Sequence, residues 1–200
     1  RPPSGTNAAP CGIGVWTTPT LNSTASNYKL TDRGKVVANT QAQTFACIDP
    51  APIVDPSGNL WLVWGGGYAN SNSAQSIWIT RLDNATGLPS SEDTANPGHP
   101  LLLGHKEGAY MHYRAPYYYL FWQTGSCCSG TSSTYTMHMS RSQSITGPFT
   151  DDKIFYQSNG NIHGPGHIGI YSTCGKDYFT YHYYPSSGSI IGVNSMSWGS

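Results

Sequence analysis

Short aromatic runs of β-forming residues recur along this chain about every 58–60 residues, and this repeat constrains the fold more than any other feature. Helical periodicity is nearly absent, and Pro and Gly are scattered between the runs. Each repeat holds three clear strands, and linking segments such as 34–38 and 99–103 supply a candidate fourth. Four-stranded units repeated radially are the blades of a β-propeller. The sequence therefore predicts an all-β fold, with 1–200 as a single propeller domain.

The predicted strands fall into three successive units and part of a fourth. They are 48–54, 59–65 and 76–82 in the first unit, 107–113, 116–122 and 135–141 in the second, and 167–171, 177–183 and 190–196 in the third. Residues 12–18 match only one strand of a further unit, 1–10 are predicted to be a loop or tail, and 150–153 is interpreted as a turn. We therefore expect roughly three and a half blades, fewer than the 4–8 that close a propeller.

The composition excludes several classes of partner. Ten basic and ten acidic residues cancel, and charged residues make up only 10% of the chain, against an average of about a quarter. The chain has no basic patch that would favour nucleic acid, and no apolar run approaches the length of a membrane span. A neutral surface rich in hydroxyl groups, with 14 Tyr and 6 Trp, suits a sugar, although sheet packing alone explains about half of the aromatic residues.

The cysteines and glycosylation motifs indicate a secreted, extracellular glycoprotein. Low charge and two sequons, at Asn22 and Asn84, accompany five cysteines. No signal peptide is visible at Arg1, so we expect a processed or trimmed chain. An odd number of cysteines leaves one thiol free or paired outside this sequence. The adjacent Cys127 and Cys128 either form a vicinal disulfide or pair elsewhere.

Three polar residues take similar places in successive units. Asp49, Glu107 and His167 each lie at or near the start of a unit's first strand, the strand that lines the channel of a propeller. Glu107 stands among Gly, Ala and Tyr, where a charge is costly without a partner or a function. The three side chains would converge on one axis, unless they are unrelated residues at strand edges. Two carboxylates at a shared site are what cleavage of a glycosidic bond requires.

The ordered series of motifs along the chain resembles glycoside hydrolase family 43, and within it the endo-α-1,5-L-arabinanase type. The motifs are 46–50, 58–66, 107–110, 117–121, 127–135, 141–149, 164–167 and 181–184. Each motif alone is weakly specific, but their order, from about Gly12 to Trp198, is specific. The resemblance implies a five-bladed propeller that hydrolyses arabinan, a plant cell-wall polysaccharide, with inversion.

The resemblance also implies roles for the three convergent residues. Glu107 matches the general acid, and Asp49 matches the aspartate that tunes and orients it, because a nearby ionised carboxylate favours the protonated form of an acid. His167 matches a channel histidine that contacts a metal ion, usually calcium. Calcium prefers oxygen ligands, and a hydrogen-bonded structural histidine is the alternative.

Four residues are candidate contacts to the sugar. Trp64 and Tyr68 flank three glycines and are candidates to stack on a sugar ring, although packing within a blade is an equal alternative for Trp64. A vicinal disulfide between Cys127 and Cys128 would offer a flat apolar plate to a furanose. His182, in a run of tyrosines, is interpreted as structural.

One departure from the family pattern concerns the general base. No residue before Cys11 matches the Asp-Pro motif that supplies the base in the first blade, and the Trp-Ala-Pro-Asp-like motif of the second blade has no match either. We therefore expect that this chain lacks its own base. The first blades lie on a second chain or have been cleaved off, the sequence is truncated, or the protein is a non-catalytic propeller that binds glycans or assembles with other chains.

Overall fold

The computed structural model of the chain describes residues 11–39, 46–66, 75–95 and 98–199. Within these ranges every regular element is a strand except one 3₁₀ turn, at Gly130–Ser132, so the predicted all-β class is confirmed. No helix in the same ranges is long and apolar enough to cross a membrane. The predicted tail 1–10 lies outside the described residues.

The described strands form four successive antiparallel sheets with two, four, four and three strands. Sheet 1 comprises β1 (Cys11–Thr17) and β2 (Thr31–Asn39); sheet 2 comprises β3 (Ala51–Val54), β4 (Leu60–Gly65), β5 (Gln75–Leu82) and β6 (His99–Leu103). Sheet 3 comprises β7 (Glu107–Arg114), β8 (Tyr117–Thr124), β9 (Thr136–Ser142) and β10 (Thr150–Tyr156), and sheet 4 comprises β11 (His163–Thr173), β12 (Lys176–Tyr184) and β13 (Ile190–Met196). In every sheet the strands neighbour one another in chain order, as they do in a propeller blade.

One strand was missed by the sequence. The interpretation of 150–153 as a turn is wrong, because β10 (Thr150–Tyr156) forms the outer edge of sheet 3. Most of its side chains are exposed, so it carries no apolar alternation that would reveal a strand. The residues that resembled a turn form a β-bulge instead, because Asp151 has a φ of 64° and the pairing register shifts between Thr150 and Lys153.

The apolar core lies between the sheets, in three clusters. Period-two alternation sends neighbouring residues of one strand into different clusters. In β4, Trp64 packs toward sheet 1 and Val63 toward sheet 3. In β8, Leu120 packs toward sheet 2 and Phe121 toward sheet 4. Each inner sheet is therefore covered on both faces, as a blade is.

The first strands of sheets 2, 3 and 4 lie side by side. Strand β7 contacts β3 on one side and β11 on the other. Strand β7 therefore has the first strand of a neighbouring sheet on each side, as expected for strands around a propeller channel. Strand β11 begins at His163, four residues earlier than predicted. Closure into five blades remains a prediction.

Candidate active site

Glu107 opens strand β7 on a β-bulge. It pairs across the sheet with Gln123, and the register then shifts before Tyr110. The next residue, Gly108, has a φ of +58°, and a Cβ there would lie 1.9 Å from the Oε1 atom of Gln123. Only glycine fits this turn. Bulges of this kind change the direction in which a neighbouring side chain points, and here they set the position of Glu107.

Asp49 binds the backbone beside Glu107. Its Oδ2 atom accepts a hydrogen bond from the N–H of Gly108 at 3.2 Å. Asp49 comes just before β3 in sheet 2, whereas Gly108 belongs to sheet 3, so this bond joins two sheets. The structure thus brings the two predicted carboxylates to one place, and both side chains are half-buried.

Asp49 also adopts an unusual backbone conformation. Its φ of 52° lies in the left-handed region, which is rare for residues other than glycine. Asp49, Gly108 and His167 follow one another at intervals of 59 residues, and all three have a φ between 52° and 58°. Glu107 therefore precedes by one residue the position in the repeat that Asp49 and His167 occupy. Strain of this kind clusters at functional sites.

Tyr135 holds the carboxylate of Glu107. Its hydroxyl donates a hydrogen bond to Glu107 Oε2. Tyr135 is buried, directly before β9, and its ring lies 6.1 Å from the ring of His182 in sheet 4. Sequence reasoning noted Tyr135 only as the last residue of the 127–135 motif, and nothing in the sequence alone pointed to its contact with Glu107.

His182 lies on the sheet-4 side of the site, where its ring is beside that of Tyr135, and His167 is close enough to act on its charge. His167 is exposed on a second bulge, where the pairing register shifts on both sides of Gly166. Burial lowers the pKa of His182, and the charge of His167 lowers it further. Among the described residues, Nε2 of His182 finds no hydrogen-bond partner.

The residues at this site do not form a metal cage by themselves. In the part of the chain that the structure describes, no group of three or more His, Cys, Asp or Glu side chains could hold a metal ion. His167 offers a single nitrogen, whereas calcium prefers six to eight oxygen ligands. These donors alone do not fit calcium, and no chemical step is assigned to a metal ion at His167. The calcium ion expected there from the sequence is untested by this geometry.

The disulfide lies at the rim of the same site. Cys127 and Cys128 form a vicinal disulfide. The N–H of Cys128 donates a hydrogen bond of 3.0 Å to the hydroxyl of Tyr184, whose ring lies 5.4 Å from that of His182. A continuous set of contacts therefore connects the disulfide, through Tyr184, His182 and Tyr135, to Glu107. Contact of the disulfide with a sugar stays a prediction.

Trp64 occupies the core and not the site. It has no exposed surface and stacks on Trp78 at a ring distance of 5.9 Å, which corrects its assignment as a sugar contact in favour of packing within the blade. Tyr68 lies outside the described residues. The glycines after β4 admit neighbouring side chains, because a Cβ at Gly66 would lie 2.3 Å from Ile48 Cδ1 and 4.0 Å from Glu107 Cγ.

The arrangement can present a carboxyl group in a fixed direction. Tyr135 fixes one oxygen of Glu107, and Asp49 fixes the peptide that follows it. A carboxyl group held in this way is suited to transfer a proton to a bound group, since general acids must be within hydrogen-bond reach and correctly oriented.

Comparison with known proteins identifies the family that this chain resembles. Residues 13–197 match the family model "Glycosyl hydrolases family 43". The extracellular endo-α-(1→5)-L-arabinanase 1 of Bacillus subtilis is 34% identical over 60% of this chain and 35% of its own length. The extracellular exo-α-(1→5)-L-arabinofuranosidase ArbA of Cellvibrio japonicus is 27% identical over 90% of this chain and 56% of its own length.

A solved structure gives the same result. The family 43 endo-arabinanase from Bacillus licheniformis superposes with a TM-score of 0.77 and 30% identity, covering 99% of this chain and 68% of that one. The chain spans about a third of the length of the first of the two curated relatives and just over half of the second.

Proposed function

Because this chain belongs to the glycosyl hydrolases family 43, we propose that it takes part in the hydrolysis of α-1,5-arabinofuranosyl linkages in arabinan. The names of an endo-acting and an exo-acting relative support arabinan as the substrate. Both names include the word extracellular, and this supports secretion. The sequon residues Asn22 and Asn84 are both exposed, which is what attachment of a glycan requires.

The proposed mechanism is inverting general acid–base hydrolysis. Glu107 donates its proton to the glycosidic oxygen as the bond to the anomeric carbon breaks. A water molecule attacks that carbon from the opposite face, and a base carboxylate accepts the proton of this water. We propose that this base comes from outside the present sequence, either from a further segment or from a second chain that completes the propeller.

A single observation carries the assignment of Glu107 and Asp49. The hydrogen bond from the Gly108 N–H to Asp49 connects sheet 2 to the residue next to Glu107. In this proposal Asp49 orients the acid and tunes its protonation, while Tyr135 fixes the rotation of the carboxyl group through its hydroxyl. The remaining oxygen of Glu107 is then directed at the leaving group.

The test replaces the acid without changing its shape. In the full-length protein, Glu107→Gln should lower the rate of reducing-sugar release from arabinan about 10²–10⁴-fold, the usual contribution of general acid catalysis, while the fold is kept. Glu92→Gln is the matched control, because Glu92 is the chain's other glutamate and is ion-paired with Arg81 at 2.6 Å. Full activity of the Glu107 variant would refute the assignment. Wild-type protein that binds arabinan but releases no sugar would refute the hydrolase proposal and support a glycan-binding propeller.

A further inference from the structure

Two cysteines outside the vicinal disulfide lie against each other. Cys11 opens β1 in sheet 1, and Cys47 precedes β3 in sheet 2, 36 residues later. The backbone N–H of Cys47 donates to the Sγ atom of Cys11 at 3.1 Å. Both residues belong to the apolar cluster between the two sheets, so their approach is part of the packed core.

We propose that Cys11 and Cys47 form a second disulfide when the protein meets an oxidising compartment, and that this bond fastens sheet 1 to the segment that carries Asp49. Asp49 follows Cys47 by two residues, with Ile48 between them. The proposal does not depend on the hydrolytic function, because it follows from the position of two side chains.

The oxidation is an ordinary thiol–disulfide exchange with a small or protein disulfide such as oxidised glutathione. The half-buried Cys11 loses its proton and attacks one sulfur of the oxidant, which releases one thiol and leaves a mixed disulfide. Cys47 then loses its proton and attacks the sulfur of Cys11, which releases the second thiol. The two cysteines give up two electrons and two protons, and the oxidant is reduced to two thiols.

The order of these two steps follows from the surroundings of the thiols. Cys47 is buried and Cys11 is partly exposed, so an oxidant reaches Cys11 first. Burial, together with the hydrogen bond between the two thiols, raises the pKa of Cys47 to about 12, so Cys47 is the poorer first nucleophile.

Cys174 is the one remaining thiol in the sequence. It is exposed in the turn between β11 and β12 of sheet 4, whereas Cys11 and Cys47 pack between sheets 1 and 2. The proposal therefore assigns all five cysteines: two pairs and one single thiol.

The test is a peptide map of the full-length protein. The protein is equilibrated with a buffer of reduced and oxidised glutathione, denatured, alkylated without reductant, deglycosylated and digested with trypsin. Cys11 then lies in the peptide that ends at Lys29, Cys47 in peptide 36–81, Cys127 and Cys128 in peptide 115–141, and Cys174 in peptide 154–176. We expect the first two peptides to appear as one linked species that is lost on reduction, and peptide 154–176 to be alkylated.

Two variants keep the result decisive. Cys174→Ser should leave the linked species unchanged, and Cys11→Ser should abolish it and leave Cys47 to be alkylated. Alkylated Cys11 and Cys47 in the oxidised wild type, or a link from either of them to Cys174, would overturn the proposal. The wild-type map alone gives this answer even if the Cys11 variant does not fold.

Discussion

The β-bulges at Glu107–Gly108 in β7 and at Gly166–His167 in β11 share a backbone conformation, but the order of glycine and side-chain-bearing residue is reversed between them. Both place a left-handed residue at the same position of the repeat. In β7 the side chain of Glu107 precedes the left-handed residue, Gly108, which must be glycine because a Cβ there would meet Gln123. In β11 the histidine itself is left-handed, and the glycine precedes it.

The reason for this reversal is the ring of Tyr135. A Cβ at Gly166 would lie 2.5 Å from Tyr135 Cδ2, so sheet 4 has no side chain at the place that corresponds to Glu107. The space is filled by Tyr135, which reaches Glu107. The same backbone conformation therefore does not imply the same function. The side chain that fits at a bulge depends on which side chains the neighbouring strands place against it.

The largest effect should come from closing the space at the β7 bulge. Gly108→Ala adds both a left-handed alanine, which costs about 1–2 kcal/mol, and a clash with Gln123, which costs about 1–3 kcal/mol. We expect the free energy of unfolding to fall by about 3 kcal/mol, measured by urea denaturation. Gly160→Ala is the control, since Gly160 has a similar φ of +56° and no atom within 4 Å of a Cβ. Equal losses in the two variants would contradict a tight contact with Gln123.

The second prediction concerns Tyr135, whose ring packs against Gly166 of sheet 4. Tyr135→Phe removes the hydrogen bond to Glu107 but keeps the ring, and a hydrogen bond to a charged group contributes about 1.5–3 kcal/mol. We expect kcat/KM on arabinan oligosaccharides to fall about tenfold or more. Tyr110→Phe, which removes a hydroxyl bonded to the Ile170 carbonyl oxygen at 3.1 Å, should leave kcat/KM near the wild-type value. Similar losses in both variants would argue against a specific role for Tyr135.

A third prediction uses the histidine that lies opposite Gly166. Burial lowers the pKa of His182 and of His112. An unfolded histidine takes up a proton near pH 6.5, so below this pH the unfolded state binds more protons than the folded state. The free energy of unfolding should therefore decline as the pH falls from about 6.5 through the folded pKa values.

Denaturation by urea between pH 7 and pH 5 measures this decline. His182→Gln should reduce this dependence of stability on pH. His112→Gln, in strand β7, should reduce it by a separate amount. An unchanged slope in both variants would show that other groups cause the decline.

The smallest change in stability should come from placing glycine at position 167, the left-handed residue of the β11 bulge. His167→Gly relieves a left-handed histidine but increases the freedom of the unfolded chain, and these two effects are each about 1 kcal/mol. We expect a change in the free energy of unfolding within about 1 kcal/mol, measured by thermal denaturation. A large loss would mean that the His167 side chain makes stabilising contacts, and the two bulges would then both depend on the side chain that each carries.

Most of the fold could be predicted because the strands are marked by aromatic and β-branched runs. The exception, β10, is an edge strand with charged and exposed residues. Trp64 was misassigned for a related reason: alternation predicts which residues share a face, but not whether another sheet covers that face. In a blade, both faces of the inner strands are covered.

The site was predicted in part. The repeat placed Asp49 just before β3 and Glu107 at the start of β7, and this required only the spacing of the chain. His167 is instead the fifth residue of β11, which begins at His163. Tyr135 and His182 reach the site from different sheets, and their contacts depend on how two sheets pack together. The pairing of Cys127 with Cys128 was left open, since adjacent cysteines have no distance constraint that a sequence can reveal.

Because the hydrogen bond between Asp49 and Gly108 joins sheet 2 to sheet 3, the geometry of the site depends on how these two sheets are aligned. A displacement of sheet 2 against sheet 3 by one pleat would separate the two partners while every ladder inside each sheet stayed intact. Under mild heating or at low denaturant concentration, activity should therefore be lost before the β-sheet signal in circular dichroism decreases.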